Sequence, residues 1–208
     1  SLTPDFNTDT NALTTPGPLL LLKQYQPTFV TVKNRMQVPT SVHWHGLDLD
    51  SWADGVPDYS ASDGKMSPSI QPGKKFTYKL TLMRPGTYIY HSHFNDVHQI
   101  ASGLYGPMIV LGENQSYDPK TDHVYTVGYR TSDIKSFDDV VLNGTSQQPP
   151  QNARVGETHR LRLINIQPAG DIKIKMQLDS VPFPIKFVAK DGTDLPAIQQ
   201  LFLKESPF

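Results

Sequence analysis

Residues 76–93 read FTYKLTLMRPGTYIYHSH and contain two strand patterns in succession. Phe76–Leu82 alternates large apolar with polar residues, which is the pattern of a strand with one buried face. A proline and a glycine interrupt the run, and Gly86–Tyr90 then leads directly into His91-Ser92-His93. We therefore expect two β-strands here, with a pair of histidines at the end of the second.

Short apolar runs separated by turn residues continue on both sides of this stretch, in a chain with 18 prolines and 14 glycines. No long window has a helical period, and only a short helix is predicted, at Asp96–Ser102. Further strands are predicted at Leu19–Lys23, Thr28–Lys33, Ser41–His45, Leu104–Leu111, His123–Tyr129, Val140–Leu142, His159–Asn165, Ile172–Leu178 and Ile185–Ala189. The pattern favours an all-β fold class, with β-sandwich or Greek-key units in tandem.

The length of 208 residues allows one large or two ordinary domains. Residues 112–122 have the composition of a linker, so we expect one domain at 1–112 and a second at 113–208. The second has too few clear strands for a full sandwich and is expected to be incomplete. Within the first, the long loop Asp48–Gly73 is typical of functional segments or surface wrapping.

The bulk composition excludes several functional classes. The formal net charge is −1 and 37% of residues are hydrophobic, so nothing favours binding to nucleic acid or to a membrane surface. The longest apolar run, Leu19–Leu22, is far too short to span a bilayer, and no signal peptide is visible. Cysteine is absent, which excludes disulfides and thiolate metal sites within this chain.

Two pairs of histidines carry the chemistry. His43 and His45 flank one residue, as do His91 and His93, so the members of each pair share a face if they lie on strands. Opposed residues on paired strands lie roughly 4.5–5.5 Å apart, which would bring the imidazoles together. Such a group suits copper, zinc, iron or nickel, with copper favoured by intrinsic affinity. The other histidines are expected to be ordinary surface or packing residues: His98, His123 and His159.

A series of motifs in the first half resembles the first cupredoxin domain of multicopper oxidases, the family of laccases, ascorbate oxidase and bacterial copper oxidases. The matching segments, in order, are Ser41–Gly46 (SVHWHG), Ala53–Pro57 (ADGVP), Ile70–Gly73 (IQPG), Phe76–Tyr78 (FTY), Gly86–His93 (GTYIYHSH) and Gly103–Pro107 (GLYGP). The second half resembles the family's second domain more loosely, at Val141–Gly144, Val155–Glu157, Arg160–Asn165 and Lys190–Pro196.

This resemblance implies tandem cupredoxin-like Greek-key β-sandwiches and reduction of O2 to water at a trinuclear copper cluster. By position, His43 would bind the type 2 copper, whereas His45, His91 and His93 would bind the type 3 pair. Asp54 matches a family carboxylate that assists proton delivery; it is equally well explained as a loop-capping aspartate before Gly55. The histidine rings also need hydrogen-bond partners, for which Asp48, Asp50, Asp96 and backbone carbonyls are candidates.

The departures from the family pattern are as informative. The type 1 copper site needs a cysteine thiolate, so this chain cannot contain it, and only half of the cluster's ligands are present. The resemblance therefore implies the N-terminal portion of a longer enzyme, inactive alone, with the missing cupredoxin domain or another chain supplying the rest. The electron donor, an organic molecule or a metal ion, is undetermined, and the family implies a periplasmic or extracellular location.

Three other interpretations remain. The fold could be a non-enzymatic copper-binding or scaffold protein, although the presence of all four paired histidines argues against a metal-free scaffold. A copper nitrite reductase relative is disfavoured because that family's first domain carries a cysteine. A zinc or iron cupin is disfavoured because its ligand pattern includes a glutamate.

Overall fold

A computed structural model of the chain describes residues 14–130, 139–149, 151–167, 172, 174, 176–178 and 180–203. The regular secondary structure of these residues is almost entirely β-strand, so the all-β prediction is confirmed. No helix among them is long and apolar enough to cross a membrane.

The strands and the α-helix of the first half agree closely with the sequence pattern. They are β1 Leu20–Lys23, β2 Thr28–Lys33, β3 His43–His45, β4 Ala61–Ser62, β5 Lys65–Met66, β6 Lys75–Leu80, β7 Gly86–His91, α1 Asp96–Ala101 and β8 Tyr105–Leu111. The long loop predicted at Asp48–Gly73 contains a 3₁₀ turn, Ser51–Ala53, and the small hairpin of β4 and β5. Asp63 and Gly64, with φ of 51° and 72°, turn that hairpin, as two-residue loops between antiparallel strands require.

The second half contains longer strands at its start and short ribbons afterwards. They are β9 Asp122–Arg130, β10 Asp139–Leu142, β11 Arg160–Asn165, β12 Gln177–Leu178, β13 Val181–Pro182, β14 Ile185–Phe187, β15 Ala189–Lys190, β16 Thr193–Asp194 and β17 Leu201–Leu203. The strand predicted at Ile172–Leu178 is found only at its last two residues among those described. Strand β9 lies between β10 and β11 in a three-stranded sheet.

Strands β1, β8, β7 and β3 form a four-stranded sheet in that order, with β1 and β8 parallel. One face of this sheet packs against the pair β2–β6 over a core that contains Trp44, Tyr78 and Met108. The other face carries Ile89 and Tyr105, which pack with Ile164 of β11. Because both faces are covered, every residue of β8 is buried.

A buried ion pair of the second half also contacts the first half. Arg162 on β11 donates two hydrogen bonds to the carboxylate of Asp122, each of 2.7 Å, and a third of 2.7 Å to the hydroxyl of Thr87 on β7. The side chains of Arg162 and Asp122 are only 7% and 11% exposed. The boundary predicted after residue 112 therefore separates two units in direct contact; the boundary itself stays a prediction.

Candidate metal centre

The pairing of β3 with β7 brings histidines of the two motifs to one face of the sheet. The strands are antiparallel, with His43 opposite His91 and Trp44 opposite Tyr90. Side chains alternate along a strand, so Trp44 points into the core while its neighbours His43 and His45 point to the opposite face. The core-facing tryptophan thus fixes the direction in which the histidine pair projects.

The three histidines on this ladder are close enough to share a metal ion. One ring nitrogen from each of His43, His45 and His91 lies within 4.8 Å of the others. The ring centroid of His43 is 5.3 Å from that of His45 and 5.3 Å from that of His91. Nδ1 of His45 lies 3.3 Å from Nε2 of His91.

His93 lies beside this group but outside the ladder. Its ring centroid is 5.5 Å from that of His43 and 6.1 Å from that of His91, and it does not belong to the tight group of three. The sequence predicts a strand that continues to His93, yet β7 ends at His91 because the amide of Leu104, which would return the bond from Ser92, donates to the carbonyl of Gln99. All four predicted histidines are therefore neighbours, but strand pairing positions only His43, His45 and His91.

Backbone carbonyls set the tautomers of two rings. Nδ1 of His43 lies 2.8 Å from the carbonyl oxygen of Asp54, and Nδ1 of His91 lies 2.8 Å from that of Ser92. A carbonyl only accepts, so both Nδ1 atoms carry the proton and both Nε2 atoms keep a lone pair. This arrangement, in which one ring nitrogen donates to a fixed acceptor, is usual for histidines that bind metals.

Burial keeps these imidazoles neutral. Desolvation lowers the pKa of His91 to about 4, against a smaller opposing effect of the Ser92 carbonyl. Desolvation also lowers the pKa of His43, although the carbonyl and carboxylate of Asp54 act in the opposite direction. Both rings therefore present an unprotonated Nε2 at neutral pH, the form that a metal ion requires.

Gly55 allows the loop that carries Asp54 to approach His43. Its φ is +79°, and a Cβ at this position would overlap the carbonyl of Val42, the residue before His43. Only glycine fits such a close approach of two backbone segments. The Asp54 carboxylate accepts from Ser60 at 3.3 Å and also lies 3.4 Å from Nδ1 of His43.

The other aspartates proposed as ring partners make different contacts. Asp48 pairs with Arg84 at 2.8 Å, Asp50 accepts from the hydroxyl of Ser62, and Asp96 accepts from the amide of Val97. Nothing in the sequence indicates that the Ser92 carbonyl would bond to His91, because every residue has a backbone carbonyl. Only Gly55 hints in the sequence at the role of the Asp54 carbonyl, because glycine permits the positive φ and the close approach of this loop to Val42.

The remaining histidines lie elsewhere. His98 is exposed on α1. Nε2 of His123 lies 2.9 Å from Nδ1 of His159, whose Nε2 lies 3.3 Å from the carboxylate of Glu157. The rings of His123 and His159 are within 6° of parallel. They form a hydrogen-bonded pair on the second unit, a contact that the sequence did not predict.

The donor set of the ladder group fits copper. It consists of imidazoles without a carboxylate or thiolate among the converging atoms, and imidazole binds copper in both of its common oxidation states. Zinc, iron and nickel also accept imidazole, so the geometry alone selects the ligand type and leaves the metal open.

Comparison with known proteins favours copper among these four metals. The family model for multicopper oxidases matches residues 10–115. Copper resistance protein A of Pseudomonas syringae pv. tomato is 36% identical over 110 residues, which are 52% of this chain and 17% of that protein. A multicopper oxidase of Cercospora beticola is 38% identical over 114 residues, which are 54% of this chain and 16% of that protein. The chain thus spans less than a fifth of the length of these relatives.

Solved structures show the same fold. A blue copper oxidase from Nitrosomonas europaea matches with a TM-score of 0.76 at 24% identity, over 93% of this chain and 63% of that chain. A laccase from Botrytis aclada matches with a TM-score of 0.56 at 29% identity, over 74% of this chain and 33% of that chain. The predicted cupredoxin-like fold is confirmed by these neighbours, and the partial coverage of each agrees with the expected incomplete second unit.

Proposed function

Because the chain belongs to the multicopper oxidase family, we propose that it supplies histidine ligands to the copper centre at which a laccase-like enzyme reduces O2 to water. The observation that carries this proposal is the convergence of His43, His45 and His91, whose ring nitrogens lie within 4.8 Å of one another on one sheet face. Copper bound there would supply one-electron redox chemistry toward O2, with electrons from an organic or metal-ion donor.

Each histidine has a proposed role. His43 binds the type 2 copper, and His45, His91 and His93 bind the type 3 pair. The carbonyls of Asp54 and Ser92 hold the protons on Nδ1 of His43 and His91 and so keep Nε2 free for the metal. Their fixed positions limit rotation of the two rings, which favours a preformed site.

Asp54 is proposed to hold and deliver a proton at its carboxylate. The carboxylate is 32% exposed, so water reaches it, and it lies 3.4 Å from His43. A solvent-accessible carboxylate near a reacting centre is a common proton donor in catalysis. The hydroxyl of Ser60, 3.3 Å from Oδ2, orients the group.

The domain arrangement and surroundings of the proposed enzyme follow from the same family. Residues 1–112 form the ligand-bearing cupredoxin domain, and 113–208 form part of a second domain without copper ligands. The type 1 copper and the remaining cluster ligands come from a further cupredoxin domain or another chain, since this chain has no cysteine. The location is periplasmic or extracellular.

Oxygen consumption tests the proposal. The intact protein that contains this region is loaded with copper and assayed with a phenolic donor, beside a variant in which His43 and His91 are replaced by alanine. Donor-dependent O2 uptake that the double variant lacks supports the oxidase. Copper bound at these histidines without any O2 uptake would instead support the copper-binding alternative.

A further inference from the structure

His93 is the one paired histidine whose backbone receives no support from the β3–β7 ladder. The ladder covers His43, His45 and His91, and it ends there. The amide of His93 instead donates to the side-chain hydroxyl of Ser41, at 3.2 Å. The placement of His93 relative to the other three therefore depends on side-chain hydrogen bonds rather than on strand pairing.

A buried glutamine connects the segment before the first histidine pair to the residue between the two histidines of the second pair. Gln99 on α1 is 7% exposed. Its Oε1 accepts from the hydroxyl of Thr40 at 2.7 Å and from the hydroxyl of Ser92 at 2.6 Å. Its Nε2 donates to the carbonyl of Pro39 at 2.8 Å. One amide thus joins Pro39 and Thr40, just before His43, to Ser92, which lies between His91 and His93.

Ser92 connects Gln99 to the backbone of the residues that follow it. Its hydroxyl proton goes to Gln99, because that contact is far shorter than the 3.3 Å to the carbonyl of Phe94. The oxygen is then free to accept from the amide of Phe94, at 3.2 Å. His93 therefore lies between Ser92, which bonds to Gln99, and Phe94, which bonds to Ser92, and its own amide bonds to Ser41.

The network is neutral and buried, which suits a positioning device. Thr40, Ser41 and Ser92 are 4%, 0% and 1% exposed, so a hydroxyl that loses its partner here has no water to replace it. A buried hydrogen-bond network restricts the arrangement of the segments that it joins. It does so without adding a charge next to the metal ligands.

We propose that Gln99 is a positioning residue that fixes His93 against the β3–β7 histidines and so sets the geometry of the metal centre. The inference rests on the proposed copper site for its function. The hydrogen bonds to Pro39, Thr40 and Ser92 carry it independently of any metal.

The test uses the full chain with Gln99→Met, which preserves length and removes all three hydrogen bonds. In the metal-free protein we expect the amide of His93 to exchange with solvent about tenfold faster or more, relative to that of Tyr90 on the ladder. With one equivalent of Cu(II), at equal occupancy, we expect a changed electron paramagnetic resonance spectrum. If Gln99→Met does not fold, Thr40→Val, which removes one donor at constant shape, should give smaller changes of both kinds.

Asn34→Leu is the matched control. The amide of Asn34 is 2% exposed and also makes three hydrogen bonds, to Met36, Val38 and Ile70, none of them in a histidine motif. We expect a comparable loss of stability with an unchanged His93-to-Tyr90 exchange ratio and an unchanged copper spectrum. Equal effects of the two variants, or a folded Gln99→Met with wild-type exchange and spectrum, would overturn the positioning role.

The two measurements separate this inference from the proposed function. If the wild-type chain gives no spectrum of histidine-bound copper, the copper centre fails, and with it the claim that Gln99 shapes that centre. The exchange ratio in metal-free protein still decides whether Gln99 positions His93.

Discussion

The carbonyl oxygen of Asp54 lies 2.8 Å from Nδ1 of His43 and holds the proton there, so that Nε2 faces the other histidines with a lone pair. A loop residue therefore determines what a strand residue can bind. The relationship depends on backbone rather than on the Asp54 side chain, which leaves the carboxylate available for a separate task.

Removal of a ladder histidine should weaken copper binding sharply. We expect His91→Ala to lower the affinity of the chain for Cu(II) by at least ~10- to 100-fold, the range that lost supporting contacts alone produce. Competition with a chelator measures the affinity. His98→Ala on exposed α1 is the control, and an equal loss in both variants would place the copper elsewhere.

Substitution of Gly55 should damage both the loop and the site. Gly55→Ala forces a Cβ into the carbonyl of Val42, whereas Gly64→Ala has a similar positive φ with nothing within 4 Å. In denaturant unfolding we expect Gly64→Ala to lower the free energy of unfolding by about 1–2 kcal/mol, and Gly55→Ala to lower it by ~1–3 kcal/mol more. Copper binding should weaken in Gly55→Ala only. Equal losses would mean that the close approach to Val42 is unimportant.

Asp54→Asn separates proton delivery from loop structure. The substitution keeps the size of the side chain and the backbone carbonyl, so copper content should be unchanged. We expect turnover of the complete enzyme to fall by ~100-fold or more, the usual contribution of a general acid. Asp58→Asn in the same loop is the control. Unchanged turnover in Asp54→Asn would contradict proton delivery and leave Asp54 with a loop-capping role only.

The buried ion pair of the second unit, which also contacts Thr87 of the first, should contribute more to stability than an exposed ion pair nearby. Arg162→Met leaves the buried Asp122 unpaired and should cost ~3–5 kcal/mol of unfolding free energy. Arg160→Met, two residues away, breaks a pair with Asp194 in which the side chains are 35% and 62% exposed, and should cost about 0–1 kcal/mol. Similar values for the two variants would contradict the role given to the Arg162–Asp122–Thr87 contact.

High pH should destabilise the core through Tyr78. Its burial raises its pKa from 10 to about 12, so the folded state favours the neutral phenol. This contribution is fully present below pH 10 and is lost as the pH rises from 10 to 12, at about 1.4 kcal/mol per pH unit. Unfolding measured across that range should show a shallower decline for Tyr78→Phe; parallel curves would contradict the buried phenol.

Local patterns predicted the strands well but not how they pair. The predicted bounds of β2, Thr28–Lys33, match the structure at both ends, because the alternation of apolar and polar residues is a property of adjacent positions. The parallel pairing of β1 with β8 depends on residues that are distant in the chain, and no local pattern specifies it. The end of β7 at His91 was missed for the same reason, since it depends on the amide of Leu104, which donates to the carbonyl of Gln99.

The site shows the same division. The four histidines could be named because their spacing matches strand geometry and the family motif. Gln99 could not, because a polar residue on a short helix looks like a surface residue until the fold buries it beneath the two motifs. The Arg162–Asp122–Thr87 contact likewise joins residues from both units, which a reading of each segment alone cannot bring together.

Anomalous X-ray scattering at the copper edge, from crystals of the chain grown with copper, tests the central claim most directly. The account requires anomalous peaks within bonding distance of the free ring nitrogens of His43, His45 and His91, with His93 beside them. The absence of any peak among these rings, with copper bound only elsewhere or not at all, would contradict it.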